Sequence, residues 1–458
     1  MAKADGNNQT LHRVASMLKK RSIVTSLLLF FCMWVATPST AQENNQPPEG
    51  FLAIFNGEDL TGWGGGETKD PEWFSTLDYD TWDKYAKDMK KKVEQHWRVE
   101  NGELISDGKG PHLVSNRYYG DFEMWVDWKL MTAGGDSGIY LRHCPQVQLW
   151  DPNHKPAHKH GSDKGSGGLW NNKKAGKDPS ELADNPIGEW NRMYIRMVGP
   201  YVTVILNGKT VVDNVELENY YHRDQPVYSE GPVHLQTHGS ETRFKNIFVR
   251  RLSYAESDEI LTEINGDDED KFTSLFNGED LTGWVGATDS YEVVDGAIQC
   301  KLDHGGNLLT KDQYEDFVVR LQFKTPPGGN NGLAIRMPVA DPKEYPANIA
   351  MELQVLDDNH IMYAKLRDNQ YHGSAYGIKA AHRGFLRPAC QWNTQEVTVK
   401  GDKVTVVLNG YTILETELKK DAPDHSPAKA DTFTKGHFGF TGHYDQVKFR
   451  NIRIKEIK

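Results

Sequence analysis

The sequence has few cysteines, no excess of basic charge and only one long apolar run. It contains 4 cysteines in 458 residues. Cys144, Cys300 and Cys390 remain once an N-terminal leader is set aside, and three thiols are too few for a disulfide framework in an exported protein. Cys300 and Cys390 lie in the same half of the chain and could pair, but we expect all three to be buried as small apolar side chains.

Basic residues do not outnumber acidic ones. The chain has 53 Lys and Arg against 64 Asp and Glu, a net charge of −11. A protein that binds nucleic acid usually presents excess positive charge to the phosphate backbone. The composition therefore argues against a nucleic-acid partner, and the length favours two or three domains.

The long apolar run is confined to the N-terminus. Basic residues at 19–21 precede a short apolar stretch at 23–35, and small residues end at Ala41. This pattern predicts a signal peptide over residues 1–41 and a mature protein in the periplasm or outside the cell. The run is too short to cross a bilayer comfortably, and no other segment could, so we expect no membrane span.

One stretch of the sequence is repeated without change. The nonapeptide FNGEDLTGW occurs at 55–63 and again at 276–284. Chance repetition of that length is negligible, so the chain is a tandem duplication. We define copy one as residues 50–252 and copy two as residues 272–458, with an acidic linker at 253–271.

Both copies have the pattern of antiparallel β-sandwiches. Asn-Gly dipeptides at 207–208 and 409–410 join alternating apolar runs at equivalent places. Such dipeptides are strong hairpin signals because type I′ turns require positive φ. The chain is therefore predicted to be all-β, with one sandwich per copy. Copy one also carries two insertions, a charged and helix-like one at 82–94 and a Gly/Lys/His-rich one at 151–184.

Two consecutive strands in each copy combine an aliphatic face with a polar one. Copy one reads GGDSGIYLR and then QVQLWD, and copy two reads GGNNGLAIR and then ELQVLD. Because alternate strand residues point to opposite faces, the aliphatic residues belong to the core. We predict that the polar face binds a hydroxylated ligand; the alternative is cross-strand Arg–Glu pairing on a solvated sheet. The polar residues are Arg142, Gln146 and Gln148 in copy one, and Arg336, Glu352 and Gln354 in copy two.

Histidines and aromatic residues also recur at matching positions. His238 and His443 each lie eight residues before the Asn of a closing Asn-Ile pair. Such a histidine could act as a general acid or base near neutral pH, or could be structural. Trp170 and Tyr376 match one another and are candidates for stacking on a sugar ring.

A histidine-rich segment raises the question of a metal. DPNHKPAHKHG contains His154, His158 and His160 with lysines between them. No predicted strand or helix orients these rings, so we assign no metal site. The sequence requires no cofactor, and a divalent cation is left open without support.

Taken together, these motifs resemble the 3-keto-disaccharide hydrolase domain family. The resemblance rests on FNGEDLTGW, the Gly-(Asp/Asn)-(Ser/Asn)-Gly-x-x-x-Arg strand, the Gln-containing strand after it, Gly-Glu-Trp-Asn at 188–191 and the terminal Asn-Ile. It covers nearly the whole mature chain, once per copy, although copy two keeps only Trp-Asn of the fourth motif. It implies a concanavalin-A-like (lectin/glucanase) jelly-roll sandwich for each copy.

The resemblance also implies a chemistry. Its substrate would be a 3-keto sugar or glycoside, in which the ketone acidifies the hydrogen on C2. A base removes that proton, the C1 substituent leaves, and water can add to the resulting 3-keto-2-hydroxyglucal. Mapped onto copy two, Glu352 is the base, His443 the acid and His372 a substitute for either. The expected binders in copy two are Arg336, Gln354 and Tyr376.

Copy one departs from this arrangement, because Gln146 stands where copy two has Glu352. Asp136 and His238 would have to serve as base and acid there, with Arg142, Gln146, Gln148 and Trp170 as binders. Two alternatives stay open. The copies could be non-catalytic carbohydrate-binding modules, or copy two could be catalytic while copy one binds. A retaining glucanase would need a Glu-x-Asp-x-x-Glu strand, which the sequence lacks.

Overall fold

The computed structural model describes residues 45–266, 271–338, 351–422 and 434–457. The signal peptide predicted over residues 1–41 lies outside the described residues. Residues 47–458 form one compact unit that contains both copies. Each copy is a β-sandwich of one eight-stranded and one five-stranded antiparallel sheet, which confirms the predicted all-β architecture.

Copy one supplies the first half of the strands, numbered in chain order. They are β1 (Leu52–Ala53), β2 (Trp63–Gly66), β3 (Trp97–Glu100), β4 (Glu103–Ser106), β5 (His112–Ser115), β6 (Phe122–Leu130), β7 (Asp136–Leu141), β8 (Cys144–Trp150), β9 (Asn191–Val198), β10 (Tyr201–Leu206), β11 (Lys209–Glu216), β12 (Val233–Leu235) and β13 (Thr242–Arg251). Its large sheet has the order β11-β10-β9-β6-β13-β4-β3, with β1 paired to β13. Its small sheet has the order β2-β5-β12-β7-β8.

Copy two repeats this topology. Its strands are β14 (Thr273–Ser274), β15 (Trp284–Gly286), β16 (Tyr291–Val294), β17 (Ala297–Cys300), β18 (Gly305–Tyr314), β19 (Phe317–Lys324), β20 (Asn330–Met337), β21 (Met351–Leu356), β22 (Asn393–Lys400), β23 (Lys403–Leu408), β24 (Tyr411–Glu417), β25 (Gly436–His443) and β26 (Lys448–Glu456). The large sheet runs β16-β17-β26-β19-β22-β23-β24, with β14 paired to β26. The small sheet runs β15-β18-β25-β20-β21.

Helices are short or peripheral. They are α1 (Pro71–Ser75), α2 (Tyr79–His96), α3 (Tyr254–Ile264) and α4 (Leu418–Asp421), with 3-10 turns at Lys155–His160, Ser162–Lys164, Thr288–Ser290, Ile361–Tyr363 and Asp368–Gln370. The charged insertion of copy one is therefore α2, which buries Met89 and Val93. A Cβ on Gly65 would lie 2.7 Å from Val93 Cγ2, so glycine in β2 lets the helix pack directly on the strand. No helix among the described residues is long and apolar enough to cross a membrane.

Alternation along the strands builds the two cores. In β19, Phe317, Val319, Leu321 and Phe323 all point inward and are almost completely buried. Removing such apolar side chains from water between two sheets is the main driving force for folding a sandwich. The same period of two leaves the opposite face of each small sheet free for polar residues.

The repeated nonapeptide is a structural turn. The Asn56 side chain accepts hydrogen bonds from the backbone of residues 58 and 59, which shapes the turn. The Trp63 indole then donates to the carbonyl of Ile54 at 2.9 Å, and Trp284 donates to Leu275 at 2.9 Å in copy two. Each tryptophan is buried, so the motif was kept in both copies for packing.

The acidic linker contains helix α3, which the sequence did not indicate. Ser253 and Glu256 form a capping box at its start, which satisfies backbone N–H groups of the first turn. Asp258 accepts a 2.6 Å hydrogen bond from Arg387 of copy two, and Leu261 is buried. The helix therefore packs against copy two through both an ion pair and an apolar contact.

All three described cysteines are free thiols. Cys144 and Cys300 are buried, as expected for small apolar side chains. Cys390 is exposed, so the expectation of burial was wrong for that residue. No disulfide joins Cys300 to Cys390.

Candidate functional site

The candidate sites lie on the face of each small sheet that is turned away from the core, which we call the site face. Strand register makes the two copies directly comparable. Gly138 pairs with Gln148 in copy one, and Gly332 pairs with Gln354 in copy two. Bridges from Val147 to Leu169 and from Leu353 to Ala375 place the next residues, Trp170 and Tyr376, at equivalent positions.

In copy two, Glu352 lies on the edge strand β21 and extends its carboxylate over the site face. Its Oε1 accepts a 2.6 Å hydrogen bond from the Thr441 hydroxyl and lies 3.6 Å from His443 Nε2. A Cβ on Gly332 would lie 1.8 Å from Oε1, so only glycine allows the carboxylate to lie across the neighbouring strand. The contact with Glu352 raises the pKa of His443, which favours the protonated imidazole.

Two further copy-two residues border this carboxylate. The Gln354 amide donates to Asn330 Oδ1 at 2.6 Å, which fixes its orientation on the site face. The backbone N–H of Tyr376 donates to the Glu352 carbonyl at 2.9 Å, which places the half-exposed Tyr376 beside the strand that carries Glu352. Its hydroxyl accepts a 2.7 Å hydrogen bond from Gln370. The structure therefore brings Glu352, Gln354, His443 and Tyr376 together.

In copy one, the site face forms the floor of an open cavity of about 500 Å³. Cavities of that size are typical of small-molecule sites. His238 Nδ1 lies 3.1 Å from Asp136 Oδ2, and this contact raises the pKa of His238. The Gln148 amide donates to Asp136 Oδ1 at 2.6 Å. The lining includes every predicted copy-one residue except Arg142, namely Asp136, Gln146, Gln148, Trp170 and His238.

The two sites carry the same chemical groups with one exchange of position. Asp136 and Asn330 are equivalent residues, and so are Gln146 and Glu352. Each copy thus has a carboxylate at one of these two positions and an amide at the other, and a histidine lies beside the carboxylate. The carboxylate enters from β7 in copy one and from β21 in copy two.

Aromatic side chains form the wall of the copy-one cavity. The Trp170 indole donates to the carbonyl of His160 at 3.1 Å, and its ring meets Trp150 edge to face at 6.4 Å. The Tyr140 hydroxyl lies 2.7 Å from the Thr68 hydroxyl and accepts a 3.1 Å hydrogen bond from Gln236. These contacts hold flat rings at fixed angles around the polar floor, an arrangement suited to sugar rings.

A family model described as "3-keto-alpha-glucoside-1,2-lyase-like domain" matches residues 50–250 and 271–455. The chain belongs to this family. The two matches correspond to copy one and copy two, so each sandwich contains one match to the family. The resemblance stated from the sequence motifs is therefore confirmed.

Each individual relative matches a length of this chain that is close to that of a single copy. A curated protein of Bacteroides thetaiotaomicron named 3-keto-disaccharide hydrolase is 25% identical over 251 residues, covering 46% of this chain and 86% of the relative. A solved structure from Parabacteroides distasonis, titled a "putative glycosyl hydrolase", is 27% identical, with a TM-score of 0.37, and covers 41% of this chain and 100% of that one. A carbohydrate-binding module from Bacillus subtilis is 13% identical with a TM-score of 0.24, covering 41% and 96%.

Both predicted arginine binders are structural instead, so those two assignments are corrected. Arg142 has φ +51° and Arg336 has φ +52°, and a left-handed residue breaks the alternation on which the prediction depended. Arg142 is fully buried and donates to Asp121, as well as to several backbone carbonyls. Arg336 is buried in the same way and donates to Asp316 at 2.7 Å. Neither guanidinium is available to a ligand on the site face.

His372 is also corrected as a candidate acid or base. It is 2% exposed, its ring stacks on Phe323 at 4.8 Å, and its Nε2 lies 3.0 Å from Gln395 Oε1. Burial lowers the pKa of His372 to about 3, so the ring stays neutral at physiological pH. In copy one Ser166 takes the equivalent place and bonds the backbone N–H of Trp150. The side chain at this position fixes a loop.

The sequence analysis did not identify three histidines beside the copy-one site, of which His143 and His234 are buried and His112 is partly buried. The rings of Tyr140 and His234 stack at 5.3 Å, and His143 meets His234 edge to face at 5.5 Å. His112 packs on Tyr140 at 5.2 Å. Burial lowers the pKa of His112 and of His143 to about 4, and that of His234 further still, so all three rings are neutral. His234 alternates with Gln236 and His238, and that period could have indicated it.

One metal-competent group occurs in the part of the chain that the structure describes. Donor atoms of Asp70, Glu72 and His222 lie within 4.8 Å of one another. His222 Nε2 is 2.8 Å from Asp70 Oδ2, which an ordinary ion pair also explains. Among the described residues, His154, His158 and His160 do not belong to such a group.

Proposed function

We propose that the protein cleaves 3-keto-glycosides by removing the C2 proton and eliminating the C1 substituent, with copy two as the principal catalytic site. The observation that carries the proposal is the state of Glu352. Thr441 and His443 both approach Oε1, while Oε2 has no hydrogen-bond partner within the described ranges. A carboxylate held by one oxygen and open at the other is suited to act as a general base.

The remaining groups supply the rest of the elimination. Glu352 takes the C2 proton, and the electron pair forms the C1–C2 double bond as the bond from C1 to the leaving oxygen breaks. His443, whose raised pKa favours its acid form, donates a proton to that oxygen. Gln354 and Asn330 provide amide groups for the ketone and hydroxyls. Addition of water to the 3-keto-2-hydroxyglucal then completes a net hydrolysis.

Copy one is proposed to bind the sugar or to assist the hydration step. Both carboxylate oxygens of Asp136 are engaged, one by Gln148 and the other by His238. A base whose two oxygens already have partners must give up one of them before it takes a proton. The aromatic wall of the cavity, which includes Trp170, favours binding. The same wall favours the alternative in which copy one is only a carbohydrate-binding module.

The test compares a 3-keto-glucoside with its unoxidised parent. The full chain is incubated with each compound, and the enone absorbance of the glucal and the free aglycone are followed together. We expect release from the keto-sugar only, because the parent has no acidic C2 hydrogen. Release from the parent at a similar rate, or no release from either, would contradict the proposal. Calorimetric binding without release would instead support binding modules.

We also propose that the protein is exported, on the strength of the N-terminal sequence pattern. The expected mature protein begins at Gln42. Sequencing the N-terminus of protein recovered from a cell-envelope or medium fraction tests this. An intact Met1 form confined to the cytoplasm would contradict it.

A further inference from the structure

Tyr444 is an exposed aromatic residue that the fold does not use. The residue is 62% exposed. Its backbone carbonyl accepts a 3.0 Å hydrogen bond from the N–H of Asp303, but its phenol ring forms no hydrogen bond or aromatic ring pair with any residue that the structure describes. Its backbone has φ +73°, a left-handed conformation that a bulky residue rarely adopts. A strained residue whose large side chain stays mostly exposed calls for an explanation outside the fold.

The Tyr444 ring lies on the site face of copy two, next to His443. Gly305 of β18 is the direct cross-strand partner of His443, and such partners point to the same face of a sheet. A Cβ on Gly305 would lie 3.3 Å from Cε1 and 3.4 Å from Cζ of Tyr444. The ring therefore covers Gly305 on the face that His443 occupies, and glycine leaves the space for it.

Copy one shows what the fold alone requires at this position. The residue after His238 is Gly239, with φ +77°, which is the same backbone conformation. Glycine adopts it without strain, so the turn needs no side chain. Copy two has a tyrosine where copy one has glycine, and the ring lies beside the proposed acid His443. This difference between otherwise matching turns indicates a role in ligand binding.

The two exposed rings of copy two flank the proposed catalytic pair. Across the small sheet the order is Tyr376 outside β21, Glu352 on β21, His443 on β25, and the Tyr444 ring over β18. Neighbouring strands are about 4.8 Å apart, so this span of four strand spacings is roughly 19 Å. That width has room for two linked six-membered rings.

We propose that Tyr444 forms a leaving-group subsite in copy two, which takes a ring with a flat apolar face, either a pyranose or an aryl group. The proposal rests on the proposed function, because His443 is the acid for the leaving oxygen and the ring bonded to that oxygen then meets Tyr444. Tyr376, beside the base Glu352, faces the keto-sugar. The subsite makes the chain selective for glycosides whose leaving group is itself a ring.

The experiment measures kcat/KM for 3-keto-glucosides with glucosyl, phenyl and methyl leaving groups. The variants are Tyr444→Gly and Tyr444→Phe in the full chain, in a background of Asp136→Asn that disables copy one. We expect Tyr444→Gly to lower kcat/KM roughly three- to tenfold for the glucosyl and phenyl substrates, the scale of one aromatic contact. The methyl substrate should be unaffected, and Tyr444→Phe should keep wild-type selectivity.

The design separates this proposal from the proposed function. Tyr444→Gly restores the copy-one residue and removes backbone strain, so it should fold at least as well as the parent chain. Tyr79→Ala, which removes another exposed tyrosine on α2, is the matched control and should change no substrate. An equal effect on all three substrates, or none, would overturn the subsite.

Failure of the parent chain to turn over any keto-glucoside would instead contradict the proposed function. In that case, calorimetric binding of phenyl and methyl glucosides tests independently whether Tyr444 forms a subsite. Loss of phenyl preference in Tyr444→Gly supports the subsite, and unchanged preference overturns it. A fall with the phenyl but not the glucosyl leaving group would assign the subsite to aryl glycosides, and the reverse would assign it to disaccharides.

Discussion

Replacement of Glu352 by Gln is the most informative single change in the chain. Copy one already carries Gln146 at the equivalent position, so the amide fits a strand of this geometry. Its Oε1 can still accept from Thr441, which at present donates to the carboxylate at 2.6 Å. The substitution therefore removes the proposed base and leaves the packing in place. Loss of a positioned general base typically costs about 10²- to 10⁴-fold in rate, which is about 2.7–5.5 kcal/mol in the activation barrier.

Because the carboxylate occupies a different position in each copy, a second substitution can be designed to restore the activity lost in Glu352→Gln. Asn330→Asp in the Glu352→Gln background gives copy two the carboxylate arrangement of copy one, where Asp136 lies 3.1 Å from its histidine. We expect this double variant to recover part of the lost rate, because the new carboxylate can pair with His443. The assay is the initial rate of enone formation from a saturating 3-keto-glucoside, with Asp136→Asn as the copy-one control. Unchanged turnover in Glu352→Gln would refute the assignment of the base.

Three further predictions concern histidines. The Glu352 contact raises the pKa of the proposed acid His443, so kcat/KM should fall as the pH rises above 6.5. Glu352→Gln removes that contact and should move the fall to lower pH. A pH–rate profile checks both expectations. His372→Ser should lower thermal stability while kcat stays near the parent value, and a matched loss of kcat in folded protein would restore a catalytic role. His143 and His234 have lowered pKa values, so their contribution to stability is present above pH 6.5 and is lost towards pH 4, by up to about 1.4 kcal/mol per pH unit each; urea unfolding at several pH values should show that loss.

The fold could be predicted because its signals are local and occur twice. Asn-Gly turns and alternating runs are properties of neighbouring residues, and the structure has a hairpin at each, as between β10 and β11. The alternation of side chains along a strand also predicted the face of the sheet on which Gln148, Gln354 and Glu352 lie. Those residues lie within regular strands, where the period of two holds.

The arginines show where that reasoning stops. Arg142 follows the last residue of β7, and Arg336 lies in β20 at a register irregularity between Ala334 and Met337. At both places the backbone has a left-handed conformation, so the alternation of side chains between the two faces predicts the wrong face for the arginine. The sequence does not indicate this conformation, because arginine is not a residue that favours positive φ. His372 was misassigned for a different reason: its burial depends on Phe323 and Gln395, which come from distant parts of the chain.

The buried Arg142 also bears on why both copies are kept. Its Nη1 donates to the hydroxyl of Tyr411, which lies in β24 of copy two and is itself buried. Arg142 directly follows β7, the strand that begins at Asp136. A residue of copy two therefore contacts the arginine that follows β7 of copy one. Separation of the copies would remove this acceptor and leave Arg142 Nη1 with the carbonyls of Gly199 and Tyr228. Duplication gave two similar sandwiches, and this buried contact between Arg142 and Tyr411 joins them, which is one structural reason for both copies to be kept.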